Sequence, residues 1–165
     1  MLEISRETIV FCYDEYLHRL LLGLKVKKGG FGEGLFNGYG GKCLPGESFG
    51  ECAVREIFEE ARMSVQEEDL IFVGILCGHD KNKIHLCHVF LVKKWFGIPR
   101  KTEEMEPYWF SVNELPWRKT HISDQDYIPR ILLGEKVFVY VDISCLAVEV
   151  LPLKGTRVKN LTVMS

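Results

Sequence analysis

The stretch GKCLPGESFGECAVREIFEEARM, residues 41–63, carries a turn, a helix start and a cluster of acids in one run. Pro45-Gly46 makes the turn, and Ser48 with Glu51 three residues on is the pair in which each side chain satisfies the other's backbone N–H at a helix N-terminus. Ala53, Val54, Ile57, Phe58 and Ala61 then recur on one broad apolar stripe, the pattern of a helix laid on a core. Glu56, Glu59 and Glu60 are related by steps of three and four, so they project together from nearly the opposite side. Acids crowded in this way resist ionisation unless a cation sits among them, and an all-oxygen set suits Mg²⁺ or Mn²⁺ rather than Zn²⁺. A divalent metal beside a glycine turn points to phosphate chemistry. A solvated amphipathic helix would explain the stripe, but not Gly41, Glu47 and Arg55 at fixed offsets from the acids, with Arg55 one helical turn from Glu59.

These residues resemble the signature of the Nudix hydrolases, G-x5-E-x7-R-E-U-x-E-E-x-G-U with U aliphatic. Gly41, Glu47, Arg55, Glu56, Ile57, Glu59, Glu60 and Met63 occupy the matching positions, and Arg62 stands where the signature has glycine. That glycine is a helix stop in the left-handed region, where another residue costs on the order of 1 kcal/mol. The resemblance covers about residues 6–142 and is to the MutT-like subgroup, animal type, that acts on oxidised purine nucleoside triphosphates. LLGLK at 21–25, GGFGEGLFNGYGGK at 29–42 and EEMEPYWF at 103–110 carry it in order and spacing.

The resemblance implies an α/β fold of Nudix type, an α/β/α sandwich with a mixed sheet. It implies a metal set of the Gly40 carbonyl with Glu56, Glu59, Glu60 and Glu104, and a catalytic group of Glu56, Glu59, Glu60, Glu104 and Arg55. For the substrate it implies Asn37 reading the purine, with Thr8, Lys25, Phe31, Gly40, Gly41 and Lys42 around the nucleotide. The subgroup's W-P-D-D segment, with a base-stacking tryptophan and two base-binding aspartates, falls on His121, Ile122, Ser123 and Asp124. One aspartate is kept, Asp126 is a second acid close by, and histidine offers a smaller stacking surface than tryptophan.

Composition bounds the rest. A chain of 165 residues, 47% hydrophobic and 27% charged, is long enough for one domain with a core and short for two. We expect a domain over 1–152 and a basic tail over 153–165. A formal net charge of −2 gives no broad attraction to a nucleic-acid polymer, and a small anionic substrate held through metal fits better. The resemblance makes that substrate a nucleotide, and a monomer is expected. Six cysteines without C-x-x-C pairs read as reduced thiols of a cytoplasmic protein, and no apolar stretch approaches a membrane span.

Along the chain, strands are expected at 8–13 and 18–26, then a glycine-rich connector over 29–41 and the acid-bearing helix. Further strands are expected at 70–77, 84–94 and 108–112, a helix with Pro129 inside it at 124–133, and closing strands at 137–142 and 146–151. The glycine-rich run has neither the spacing of a dinucleotide fingerprint nor a following Gly-Lys-Ser/Thr, so it reads as permissive backbone. Cys77, His79, His85, Cys87 and His88 tempt a zinc reading, but strand alternation sends 88 to the opposite face from 85 and 87, and zinc is not expected. Trp109, Phe110 and Trp117 read as structural.

The expected chemistry is metal-dependent cleavage between the α and β phosphates of a nucleoside triphosphate, with Glu47 and Arg55 orienting the acids and one of the carboxylates as general base. The alternatives are another nucleoside diphosphate-linked substrate, such as a dinucleoside polyphosphate or nucleotide sugar, and a non-catalytic nucleotide-binding module, which would have no need of all three helix acids.

Overall fold

Apolar strand runs such as IVFCY and RLLLGL are nearly continuous because the sheet they form is covered on both faces. The structure, a computed structural model, describes residues 1–153. Its strands are β1 (Glu3–Asp14), β2 (Arg19–Lys25), β3 (Phe36–Asn37), β4 (Ile71–Asp80), β5 (Lys83–Val92), β6 (Met105–Ser111), β7 (Val137–Asp142) and β8 (Ala147–Pro152). Two α-helices, α1 (Phe49–Ala61) and α2 (Asp124–Leu132), complete the fold. The eight strands form one mixed sheet in the order β3-β2-β1-β5-β4-β7-β8, with β6 pairing β2. The β1–β5 and β4–β7 pairs are parallel and the remaining pairs antiparallel.

Strand alternation divides the core in two. Val10, Cys12, Leu21, Phe90 and Val92 pack with Ala53, Ile57 and Ala61 of α1. Phe11, Leu20, Leu22, Val89 and Leu91 pack on the other side with Tyr127, Ile128 and Ile131 of α2. The α/β/α layering expected from the sequence is the one observed. Ile57 is fully buried, and truncating such a residue to alanine costs about 2–5 kcal/mol, enough to loosen α1 from the sheet.

Most strand boundaries lie within a few residues of expectation, and the differences come from pairing partners. β1 begins at Glu3 because β5 continues its ladder to Glu3↔Lys83. β6 begins at Met105 because it pairs along β2 as far as Lys25. The connector contains β3, whose Asn37 and Phe36 pair Gly23 and Leu24, and it continues along β1 through bridges at Val10↔Tyr39 and Glu7↔Lys42. Residues 36–42 thus run alongside both β1 and β2. Gly40 lies so close to β1 that a Cβ there would overlap the Thr8 carbonyl. Of the expected tail, Leu153 donates its N–H to the Lys136 carbonyl at 2.7 Å, and residues 154–165 lie outside the described residues.

Candidate active site

α1 starts where the sequence places it. Ser48 Oγ accepts the Glu51 N–H at 3.0 Å, and Glu51 Oε2 accepts the Ser48 N–H at 2.8 Å. The helix ends at Arg62, whose φ of 59° is left-handed and whose N–H donates to the Phe58 carbonyl at 3.0 Å. The guanidinium lies over the Phe58 ring, 5.7 Å from its centre. An exposed contact of this kind contributes about 0.5–1 kcal/mol and offsets much of the left-handed cost, which accounts for arginine at a glycine position.

Between these ends, Glu56, Glu59 and Glu60 face a cavity of about 520 Å³, and Glu104 lines it from the turn before β6. Glu60 is 4% exposed and its Oε2 accepts the Gly40 N–H at 2.9 Å. Burial pushes its pKa up to about 7, with the charges of Glu56 and Glu104 adding to the rise, against the Gly40 hydrogen bond and Lys25. Burial also raises Glu56, opposed by Arg55. Arg55 neutralises part of the charge on Glu56 and Glu59, but buried Glu60 meets the charges of Glu56 and Glu104 with Lys25 opposing them, and this carboxylate set fits an oxygen-seeking divalent cation such as Mg²⁺ or Mn²⁺.

Arg55 ties this cluster to the preceding loop. Its Nε and Nη2 donate to the two Glu47 carboxylate oxygens at 2.8 and 3.0 Å, Nη1 donates to Glu56 at 2.7 Å and Glu59 at 3.1 Å, and Nη2 also reaches the Lys42 carbonyl at 3.1 Å. The sequence pointed to the Glu59 contact; the bidentate pairing with Glu47 is the larger one in geometry. It is the main reason the Glu47 carboxyl is held down to about 2. Gly41 makes room: a Cβ on it would stand 2.7 Å from Glu56 Oε1.

Two contacts around Glu104 were not read from the sequence. Lys27 Nζ donates to Glu104 Oε1 at 2.8 Å, a solvent-exposed pair of small energetic weight that still fixes where the carboxylate sits. Thr102 Oγ1 donates to the Glu60 carbonyl at 3.2 Å and accepts the N–H groups of Glu104 and Met105, at 3.3 and 3.1 Å, joining the Glu104 turn to the end of α1. Thr102 adjoins the EEM run in sequence, whereas Lys27 lies 77 positions from Glu104.

The residues expected around the base gather differently. Phe31, 77% exposed, stacks on His121 with ring centres 5.2 Å apart and planes 11° from parallel. Asp124 is 2% exposed and its Oδ2 accepts the His121 N–H at 3.1 Å. Burial raises the Asp124 carboxyl to about 7 against that hydrogen bond, and the Tyr127 hydroxyl lies beside it outside hydrogen-bond geometry. Ser123 is buried and caps α2 without a side-chain hydrogen bond. Asn37 Oδ1 accepts the Gly38 N–H at 2.9 Å, which leaves the NH₂ as the end to meet a ligand. Lys25 is near enough to both Glu60 and His121 for its charge to act on each.

Thr8 stands apart. Its side chain points under α1, with Oγ1 3.4 Å from Cys52 Sγ, and its N–H donates to the Gly41 carbonyl at 2.9 Å, so it borders the 40–42 segment through backbone. Lys42 contributes its carbonyl to Arg55. The hairpin histidines have other partners: His85 Nδ1 is 2.8 Å from Glu7 Oε1, and His88 stacks on Phe49 at 3.6 Å. Trp109 lies under the Arg19 guanidinium and against Trp95, a structural setting.

Residues 6–131 match the NUDIX domain. An oxidized purine nucleoside triphosphate hydrolase of Mus musculus is 36% identical over 120 residues, 72% of this chain and 74% of that protein. The protein of the same name from Danio rerio is 31% identical over 128 residues, covering 74% and 77%. Among solved structures, a MutT protein from Bacillus halodurans superposes with a TM-score of 0.67 at 21% identity, over 88% of this chain and 97% of that one. A MutT NUDIX hydrolase from Burkholderia pseudomallei gives 0.64 at 21%, over 80% and 97%. With the signature acids on one helix, the layered mixed sheet and these relatives, the chain belongs to the Nudix hydrolase family.

Proposed function

We propose that this protein hydrolyses oxidised purine nucleoside triphosphates, such as 8-oxo-dGTP or 2-oxo-dATP, to the nucleoside monophosphate and pyrophosphate, and so clears them from the nucleotide pool. The observation that carries the reading is the convergence of Glu56, Glu59, Glu60 and Glu104 on one cavity, with buried Glu60 tied to Gly40. The names of the relatives from Mus musculus and Danio rerio support the substrate class.

Glu56, Glu59, Glu60, Glu104 and the Gly40 carbonyl would hold Mg²⁺ or Mn²⁺, which when bound there neutralises phosphate charge and acidifies the attacking water. One of the cavity carboxylates accepts the proton of that water. Arg55, through Glu47, keeps the acids at the spacing the metal requires. On the base side, the Asn37 amide and the Asp124 carboxyl meet the purine edge, while Phe31 and His121 offer flat surfaces. Lys25 adds positive charge between the two sets. The enzyme acts as a cytoplasmic monomer on a free nucleotide. The second reading keeps the chemistry and changes the substrate to a dinucleoside polyphosphate or nucleotide sugar, because the His-Ile-Ser run at 121–123 lacks the stacking tryptophan of the resembled subgroup.

The test is pyrophosphate release with Mg²⁺ across 8-oxo-dGTP, 2-oxo-dATP, dGTP, dATP and a dinucleoside polyphosphate, compared as kcat/KM. A marked preference for an oxidised purine is expected. Equal rates on all purines, or preference for the dinucleotide, would overturn the substrate assignment and leave the hydrolase chemistry.

A further inference from the structure

Outside the acid cavity, the described residues bring two thiols and a carboxylate together: Cys43 Sγ, Cys52 Sγ and a Glu47 oxygen lie within 4.8 Å of one another. Cys43 is half-buried, in the loop that leaves the glycine segment, and its N–H is fixed on the Arg6 carbonyl at 2.8 Å. Cys52 is fully buried in the first turns of α1. Its sulfur touches Thr8 Oγ1 at 3.4 Å and the Gly41 carbonyl at 3.7 Å, and it receives Arg55 Nη2 at 3.7 Å. Cys52 therefore sits against the guanidinium that holds Glu47, Glu56 and Glu59 and against the Gly41 carbonyl, while Cys43 follows the segment that carries Gly40 and Gly41.

We infer that Cys43 and Cys52 form a site of reversible thiol oxidation, closed to a disulfide by exchange with a small disulfide of the glutathione class, and that closure switches the acid cluster off. The Cys43 thiolate attacks one sulfur of the small disulfide; a Cys43 mixed disulfide forms and one small thiolate leaves. Cys52 then attacks the Cys43 sulfur, expelling the second small thiolate, which takes up the proton Cys52 gives up. Two protein thiols are oxidised and one small disulfide is reduced to two thiols. The order follows from access: Cys43 meets solvent, whereas burial both shields Cys52 and pushes its thiol up to about 12.

A disulfide needs its sulfurs at about 2.05 Å, so closure draws the 41–44 loop and the first turns of α1 together. Cys52 then gives up its contacts with Thr8, Gly41 and Arg55, and the Arg55–Glu47 pair, built across those two segments, shifts with them. Displacing catalytic groups by about 1 Å costs on the order of a hundredfold in rate, which is the loss expected in the oxidised form.

The experiment equilibrates the full chain with graded mixtures of reduced and oxidised glutathione, traps the free thiols, and reads intact mass, linked peptides and hydrolytic rate on the same samples. The expected result is a Cys43–Cys52 linked peptide with two hydrogens lost, a parallel fall in turnover, and recovery of both on adding dithiothreitol. Cys43→Ser should abolish the link and the sensitivity while leaving reduced turnover unchanged, and Cys52→Ala should stop the reaction at a glutathione adduct on Cys43. An adduct at Cys43 that never resolves in the unsubstituted chain, or a loss of turnover that persists in Cys43→Ser, would overturn the inference. The linked peptide is read without any substrate, so failure of the proposed substrate class would leave this test standing.

Discussion

Around the acids of α1, Arg55 donates to Glu47, Glu56 and Glu59 at once and Glu60 is buried on the Gly40 N–H; on the base side, Phe31 lies 77% exposed on the ring of His121. The first region is held by charge-assisted hydrogen bonds between a helix and a strand-anchored loop, where an error of one side chain is felt by three others. The second rests on an open aromatic stack and one buried carboxyl, and it can change its residues without disturbing the acids. Under the proposed function, the difference would separate chemistry from choice of base. It also fits a chain in which the acids of the family signature are all present while His121, Ile122 and Ser123 stand where the resembled subgroup has Trp-Pro-Asp.

The sharpest way to break that separation is Glu59→Gln. It keeps the shape of the side chain and removes one ligand charge, so turnover should fall on the order of 10³-fold on every nucleotide while calorimetric binding of the base survives. Arg55→Ala comes next. It should lower turnover about a hundredfold by freeing the acids and cost about 2–3 kcal/mol in thermal or urea unfolding, with the ranking of bases unchanged. Its partner supplies a pH signature: Glu47 ionises near 4.5 when unfolded and near 2 when folded, so its contribution is complete above 4.5 and is lost as pH falls towards 2. Glu47→Gln should flatten that acid limb.

On the base side, Asp124→Asn should leave the acid cluster intact and alter the ratio of kcat/KM between oxidised and ordinary purines by about tenfold, the scale of one hydrogen bond to the base. The folded Asp124 carboxyl titrates near 7 and the unfolded one near 3.8, so the folded chain binds more protons between those values and stability falls as pH rises through the window. The asparagine variant should lack that slope. The smallest effect belongs to Arg62→Gly, where relief of the left-handed backbone and loss of the Phe58 contact nearly cancel, giving a change in unfolding free energy below about 1 kcal/mol.

What could be read from the sequence follows the same division. α1, its cap and its acid stripe were legible because they rest on spacings within a few residues, and Ala53, Val54, Ile57 and Ala61 of the expected stripe pack on the sheet, whereas Phe58 is half exposed and Glu60 is buried. The Arg55–Glu47 pairing was readable as an offset but not as the dominant contact, since that depends on how residues 41–47 fold back on the helix. Lys27 and Glu104 meet across 77 positions, and Thr102 bridges 42 to Glu60, separations that no local pattern encodes. β3 was hidden inside a glycine run because two residues pairing Gly23 and Leu24 leave no alternation to detect. The thiol pair has no local signal either: cysteines and histidines are close in sequence on the hairpin, whereas positions 43 and 52 are brought together by the packing of a loop on a helix.

The most direct test compares kcat/KM for 8-oxo-dGTP and dGTP in the unsubstituted chain, Glu59→Gln and Asp124→Asn under saturating Mg²⁺. The account predicts that Glu59→Gln loses both substrates together and that Asp124→Asn keeps turnover but changes their ratio. Unaltered turnover in Glu59→Gln would contradict it, because the acids of α1 would then not be where the hydrolysis takes place.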